Sequence, residues 1–108
     1  MIEIRQYLDR QGRNPFDRWF LRLDGVVRAR ITVALGRLEV GNFSATKSLG
    51  SGVHELRLDF GPGYRVYFGK DGETIVILLG GGIKKRQQAD IEAAHALWQQ
   101  YKLEKREG

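Results

Sequence analysis

The sequence predicts a small α+β domain whose elements run β-α-α-β-β-β-α, an antiparallel meander with helices packed on one face. Three observations lead there. Two helical apolar stripes precede residue 41, the apolar period changes to two over residues 53–80, and a last helical stripe begins near residue 87. The chain has 108 residues, 42% of them hydrophobic. That is enough for one modest core and too apolar for a disordered tail, so a single domain over residues 1–108 is expected.

Each element has a local reason. Ile2-Glu3-Ile4-Arg5 alternates apolar and polar side chains, as a half-buried strand does. Residues 9–14, with Gly12, read as a turn. Asn14-Pro15 then supplies an N-cap followed by proline at the first helical position. Phe16, Trp19, Phe20 and Leu23 share one stripe of a short helix. Asp24-Gly25 redirects the chain into a second helix with Val27, Ile31, Leu35 and Leu38 on one face, stopped by Gly41-Asn42. The pair forms a helical hairpin over residues 14–40. Residues 43–52 are polar and glycine-containing and are expected to form a loop. Strands over 53–60, 64–69 and 74–80 follow, joined by Gly61-Pro62-Gly63 and Asp71-Gly72. The unbroken apolar run from Ile75 to Leu79 reads as a central strand covered on both faces. A helix over about 87–104 carries Ile91, Ala94, Trp98 and Tyr101 on one stripe.

Charge narrows the function classes. Lys and Arg number 18 against 13 Asp and Glu, a formal charge of +5, and the excess lies before residue 87. A basic balance on a small domain favours an anionic partner, either nucleic acid or an acidic protein. The absence of cysteine excludes disulfides and thiolate metal sites and fits a cytoplasmic location. No apolar run approaches the roughly 20 residues of a membrane span. MIEIRQYLDR lacks the pattern of a signal peptide, so no membrane partner is expected. No His, Asp and Glu cluster has metal-ligand spacing, so neither a metal nor a cofactor is expected. His54 falls on the core-facing alternation of its strand and His95 near a helical stripe, both structural positions. Ser44, Ser48 and Ser51 lie in the loop with no base nearby, which gives a serine triad no support.

The first hairpin has a register that can be written down. If Gly61-Pro62-Gly63 is a three-residue loop, Phe60 faces Tyr64, Asp59 pairs with Arg65, Arg57 with Tyr67, and Glu55 with Gly69. Leu56, Leu58, Phe60, Tyr64, Val66 and Phe68 then point to the core. Arg57, Arg65 and Tyr67 share the opposite, solvent-facing side, where two arginines at diagonal positions can grip one phosphate. The same residues also read as an ordinary Asp59–Arg65 ion pair with Tyr67 covering the sheet. Past Gly80-Gly81-Gly82 the basic run Lys84-Lys85-Arg86 emerges at one end of the sheet, which adds candidate contacts to a nucleic-acid backbone; Lys47 in the preceding loop is another. The glycine run lacks the spacing of a phosphate-binding Walker loop.

The stretch Gly52-Val53-His54-Glu55-Leu56-Arg57 with Phe60-Gly61-Pro62-Gly63-Tyr64-Arg65-Val66-Tyr67-Phe68 resembles a known family. So does Leu79-Gly80-Gly81-Gly82 with Lys84, Gln87, Asp90-Ile91, Ala94, Trp98 and Tyr101. Over most of the chain these residues are similar to the RelE/ParE toxin superfamily, in its HigB-like addiction module killer branch. The resemblance implies a compact RelE-like fold and the toxin of a type II toxin–antitoxin module. The implied partners are a helix-turn-helix antitoxin, forming a hetero-oligomer with it, and mRNA on the ribosome. The implied activity is a metal-independent mRNA endonuclease, with Arg57, Arg65, Tyr67 and Lys84 as catalytic residues and Lys85, Arg86 and Lys47 on the RNA. The branch carries an acid where this chain has Ile83. Two other readings stay open: a ParE-like inhibitor of DNA gyrase, and a catalytically degenerate binding module on the toxin fold.

Overall fold

The computed structural model describes residues 1–108. Its elements are β1 (Glu3–Gln6), α1 (Pro15–Phe20), α2 (Gly25–Glu39), β2 (Thr46–Gly50), β3 (Val53–Leu58), β4 (Tyr64–Asp71), β5 (Ile75–Ile83), a 3-10 turn (Lys84–Arg86) and α3 (Gln87–Glu107). The α+β class is as expected, and the local signals act as read. The Asn14 side chain accepts from the Asp17 N–H at 3.0 Å, with Pro15 opening α1. Gly41, at φ 86°, ends α2 with its N–H on the Leu38 carbonyl, and the Asn42 N–H reaches back to Arg37.

Several expectations need correction. The sheet is not an antiparallel meander but a mixed five-stranded sheet of order β1-β5-β4-β3-β2, in which β1 runs parallel to β5. The apolar run of β5 requires a neighbour on each side, and β1 returns beside it, pairing Glu3 with Ile75 through Gln6 with Leu78. The expected loop contains β2, which pairs antiparallel with β3 as a short edge strand. An edge strand facing water needs no apolar alternation, so TKSLG carries no strand signal. Finally, the helices do not share one face. Ile31, Ala34 and Leu38 of α2 and Phe16 of α1 pack with Leu56, Val66, Phe68, Val76 and Leu78 on one side. Ala94 and Trp98 of α3 pack with Val53, Tyr67, Ile77 and Leu79 on the other. The strands also end differently: β3 stops at Leu58, β4 and β5 run on to Asp71 and Ile83, and α3 continues to Glu107.

Each helical layer seats an indole on a glycine. Trp19 of α1 lies on Gly81, and Trp98 of α3 lies on Gly69 with its Nε1 edge at Gly52; a Cβ at Gly69 or Gly81 would clash with carbons of the indole ring. Trp98 also stacks on Tyr101, ring centroids 5.0 Å apart. Replacing Gly69 by Ala should therefore cost about 1–3 kcal/mol, read as a lower urea midpoint with an unchanged slope.

His54 stacks on Phe68, with centroids 5.3 Å apart and an interplanar angle of 13°. Burial first, and Lys70 second, hold its pKa below the ordinary histidine value of 6.5. The unfolded chain therefore takes up the proton at a higher pH than the folded one. His54 contributes stability above about pH 6.5 that is lost as pH falls through the folded value. Denaturation midpoints should drop between pH 7.5 and pH 5, and a His54→Gln variant should show a flatter profile over that window.

Candidate functional site

The β3–β4 ladder sets the site. Arg57 lies directly opposite Arg65, Glu55 opposite Tyr67, and Leu58 opposite Tyr64. The expected register is therefore corrected by two residues. Gly63 N–H closes onto the Phe60 carbonyl at 2.9 Å, with Gly61 and Gly63 at positive φ, so the tight turn forms inside a longer loop that includes Asp59. A slip of two preserves the face of every side chain. Arg57, Arg65 and Tyr67 thus share one face, as read.

That face is not open to solvent, because α3 covers it. Arg65 is 4% exposed, Tyr67 1%, and Glu55 is fully buried. Two like charges directly opposed would repel, and each arginine is met by an acid. Arg57 Nε donates to Glu55 at 2.7 Å, while the Gln87 amide donates to both Glu55 oxygens at 3.1 and 2.9 Å. Arg65 Nη1 donates to the Tyr64 carbonyl at 3.1 Å and, more loosely, to Asp59 at 3.4 Å. The Arg65 Nε has no partner. The Tyr67 hydroxyl is likewise buried and unpartnered, and burial, with Glu55 and Asp90 nearby, raises its pKa well above the ordinary phenol value.

Lys84 joins this group from the far end of β5. Its N–H donates to the Gly63 carbonyl at 2.8 Å. A Cβ on Gly63 would lie 3.2 Å from the Lys84 Cβ and 3.6 Å from Arg65 Nη1, so Lys84 and Arg65 flank one glycine. Lys84, Lys85 and Arg86 are exposed on the 3-10 turn. Lys47 is exposed on β2, with β3 and β4 between it and β5, and it does not join the cluster.

Three residues of the site carried no expected role. Glu55 and Gln87 hold Arg57 in place. Asp90 rests its carboxyl on Gly82, the residue opposite Arg65. Burial raises the Asp90 pKa and the Arg86 charge lowers it, with burial the larger effect. The i, i+2 spacing of Glu55 and Arg57 was a visible signal for their pairing on one strand face. Asp90 depends on the path of α3 and had none. No group of His, Asp and Glu is arranged to hold a metal ion, and no helix is long and apolar enough to cross a membrane.

The fold and this cluster define a small basic α+β protein with a cationic strand end that can meet an anion. Its family is shown directly: residues 18–102 match the model for "Phage derived protein Gp49-like (DUF891)". An uncharacterized protein of Haemophilus influenzae is 43% identical over 89 residues, covering 82% of this chain and 90% of the relative. The chain belongs to the Gp49-like family, a family of type II toxin–antitoxin toxins related to the RelE- and HigB-like toxins. That membership implies an antitoxin as partner.

Because Arg57 satisfies a buried carboxylate, its removal acts on stability as well as on any anion. Arg57→Ala should cost about 1–3 kcal/mol by leaving Glu55 short of a donor. The double variant Arg57→Ala/Glu55→Gln should recover part of this loss in the same urea titration.

Proposed function

We propose that the protein is the toxin of a type II module, with a RelE-like fold, acting as an mRNA endonuclease on the ribosome. The observation that carries the reading is the convergence of Arg65 and Lys84 on Gly63, within a chain of the Gp49-like family. The 2′-hydroxyl attacks the adjacent phosphorus, its proton passing to solvent water. The bond to the 5′-oxygen breaks, leaving a 2′,3′-cyclic phosphate and a 5′-hydroxyl. Arg65, once the loop carrying Asp59 swings aside and uncovers it, and the exposed Lys84 stabilise charge gathering on the non-bridging oxygens, and Lys85 and Arg86 hold the strand by its neighbouring phosphates.

Proton transfer is the weaker half of this site. The Tyr67 hydroxyl is buried with a raised pKa, which makes it a poor base, and it reaches RNA only if the start of α3 moves. Lys84 is exposed and is the proposed donor to the leaving 5′-oxygen. Charge stabilisation and positioning by the ribosome supply most of the acceleration in this scheme.

Arg65→Ala should lower cleavage by about 10²–10³-fold, read by primer extension on cellular mRNA after induction. Lys84→Arg should lose cleavage, because arginine keeps the charge but holds its proton; retained cleavage would overturn Lys84 as the donor. Intact transcripts during growth arrest by the wild-type chain would overturn the endonuclease. The burial of Arg65 and Tyr67 specifically favours one second reading, a binding module on the toxin fold with no chemistry of its own. Induction without the antitoxin separates the two, since a binding module of this kind leaves growth unaffected.

A further inference from the structure

Helix α2 has two apolar stripes, and only one faces the core. Ile31, Ala34 and Leu38 are buried against the sheet. Val26, Ala29 and Val33 form a second stripe, with Val26 69% and Val33 58% exposed. Opposite them, the end of β3 is unpaired on its outer side: the β2 ladder ends at Thr46 and Leu56, followed only by the Arg57 N–H on the Ala45 carbonyl at 3.0 Å. Between helix and strand runs a groove of about 820 Å³, with Leu56 and Leu58 in its floor.

The groove is apolar inside and cationic at its rim. Arg30, Arg37 and Arg57 line it, against a single acid, Asp59, which already contacts Arg65. Arg30 is held in place with its guanidinium 4.3 Å from the Phe60 ring centre. Neither Arg30 nor Arg37 is paired with a carboxylate of the protein. From Val26 to Arg37 the helix rises about 16 Å, the length of three helical turns. An apolar slot of that length flanked by free guanidinium groups fits an amphipathic helix with carboxylates along its sides. RNA would satisfy the arginines but leave the valines facing water.

We propose that this groove receives an acidic amphipathic helix of the antitoxin, its apolar side chains entering between α2 and β3 and its carboxylates meeting Arg30 and Arg37. The proposal rests on the antitoxin partnership and is independent of whether the chain cleaves RNA.

The test is direct binding. The cognate antitoxin is titrated against the full chain carrying Arg65→Ala, a background that permits expression and takes cleavage out of the measurement. Val33→Glu should weaken binding by about 100-fold, as loss of a buried anchor does. Arg37→Glu should weaken it about tenfold, with the difference shrinking at high salt. Val40→Glu, at a 71% exposed position beyond the groove, should stay within about threefold of the parent, the range of an ordinary surface change. Circular dichroism reports folding, and Val26→Glu replaces Val33→Glu if the latter melts. Unchanged antitoxin affinity in both the valine and the Arg37 variants overturns the proposal. So does a shift by the valine variant in the self-association of the chain alone, or weakened binding of a short RNA oligonucleotide while antitoxin affinity holds. Cleavage results leave this measurement untouched, so the two readings fail separately.

Discussion

The contact on which both layers of this molecule rest is a flat one: an aromatic ring lying on a glycine in the sheet. Trp98 covers Gly69, and Trp19 covers Gly81, with no side chain between ring and backbone. Such close approach brings helix and strand together and lets α3 lie low over Tyr67, with Gln87 reaching Glu55. The chemistry of that face follows from this seating. A helix held further out would leave the arginines hydrated and Glu55 without Gln87. With α3 seated, one arginine is neutralised within the fold while the other keeps an unused donor.

The pair of opposed arginines shows how burial divides apparently equal residues. Arg57 and Arg65 face each other across one ladder position, yet they carry different duties. Arg57 satisfies a carboxylate that has no access to water and lies at the mouth of the α2 groove. Arg65 touches only a backbone carbonyl and a loosely placed, exposed aspartate. A cation with weak internal partners can exchange them for a phosphate once it is uncovered; one that balances a buried carboxylate cannot.

Much of this was legible in the sequence, for identifiable reasons. The face shared by Arg57, Arg65 and Tyr67 survives the wrong loop length because strand alternation has a period of two, and the register error was also two. The helix starts at Asn14-Pro15 and the stop at Gly41 are local chemistry and appear where they were read. The second helical layer was legible in part. The run from Ile75 to Leu79 called for cover on both faces, although the helices were placed on one. Reading α3 as a stripe of Ile91, Ala94, Trp98 and Tyr101 identifies a packing surface without saying which side of the sheet it meets. Strand β2 was hidden because a polar edge strand has no apolar pattern, and Asp90 because its contact with Gly82 is made only by tertiary packing.

The parallel pairing of β1 with β5 also carries a consequence for synthesis. Glu3 and its neighbours are made well before their partners from Ile75 to Leu78, which follow more than seventy residues later. At about 5–20 residues per second the first strand waits several seconds for its place in the sheet. Contacts that distant in sequence form late in folding. The arginine face is likewise incomplete until Gln87, Asp90 and Trp98 of α3 have been made. The arginine face therefore takes its folded form only after α3 has been made.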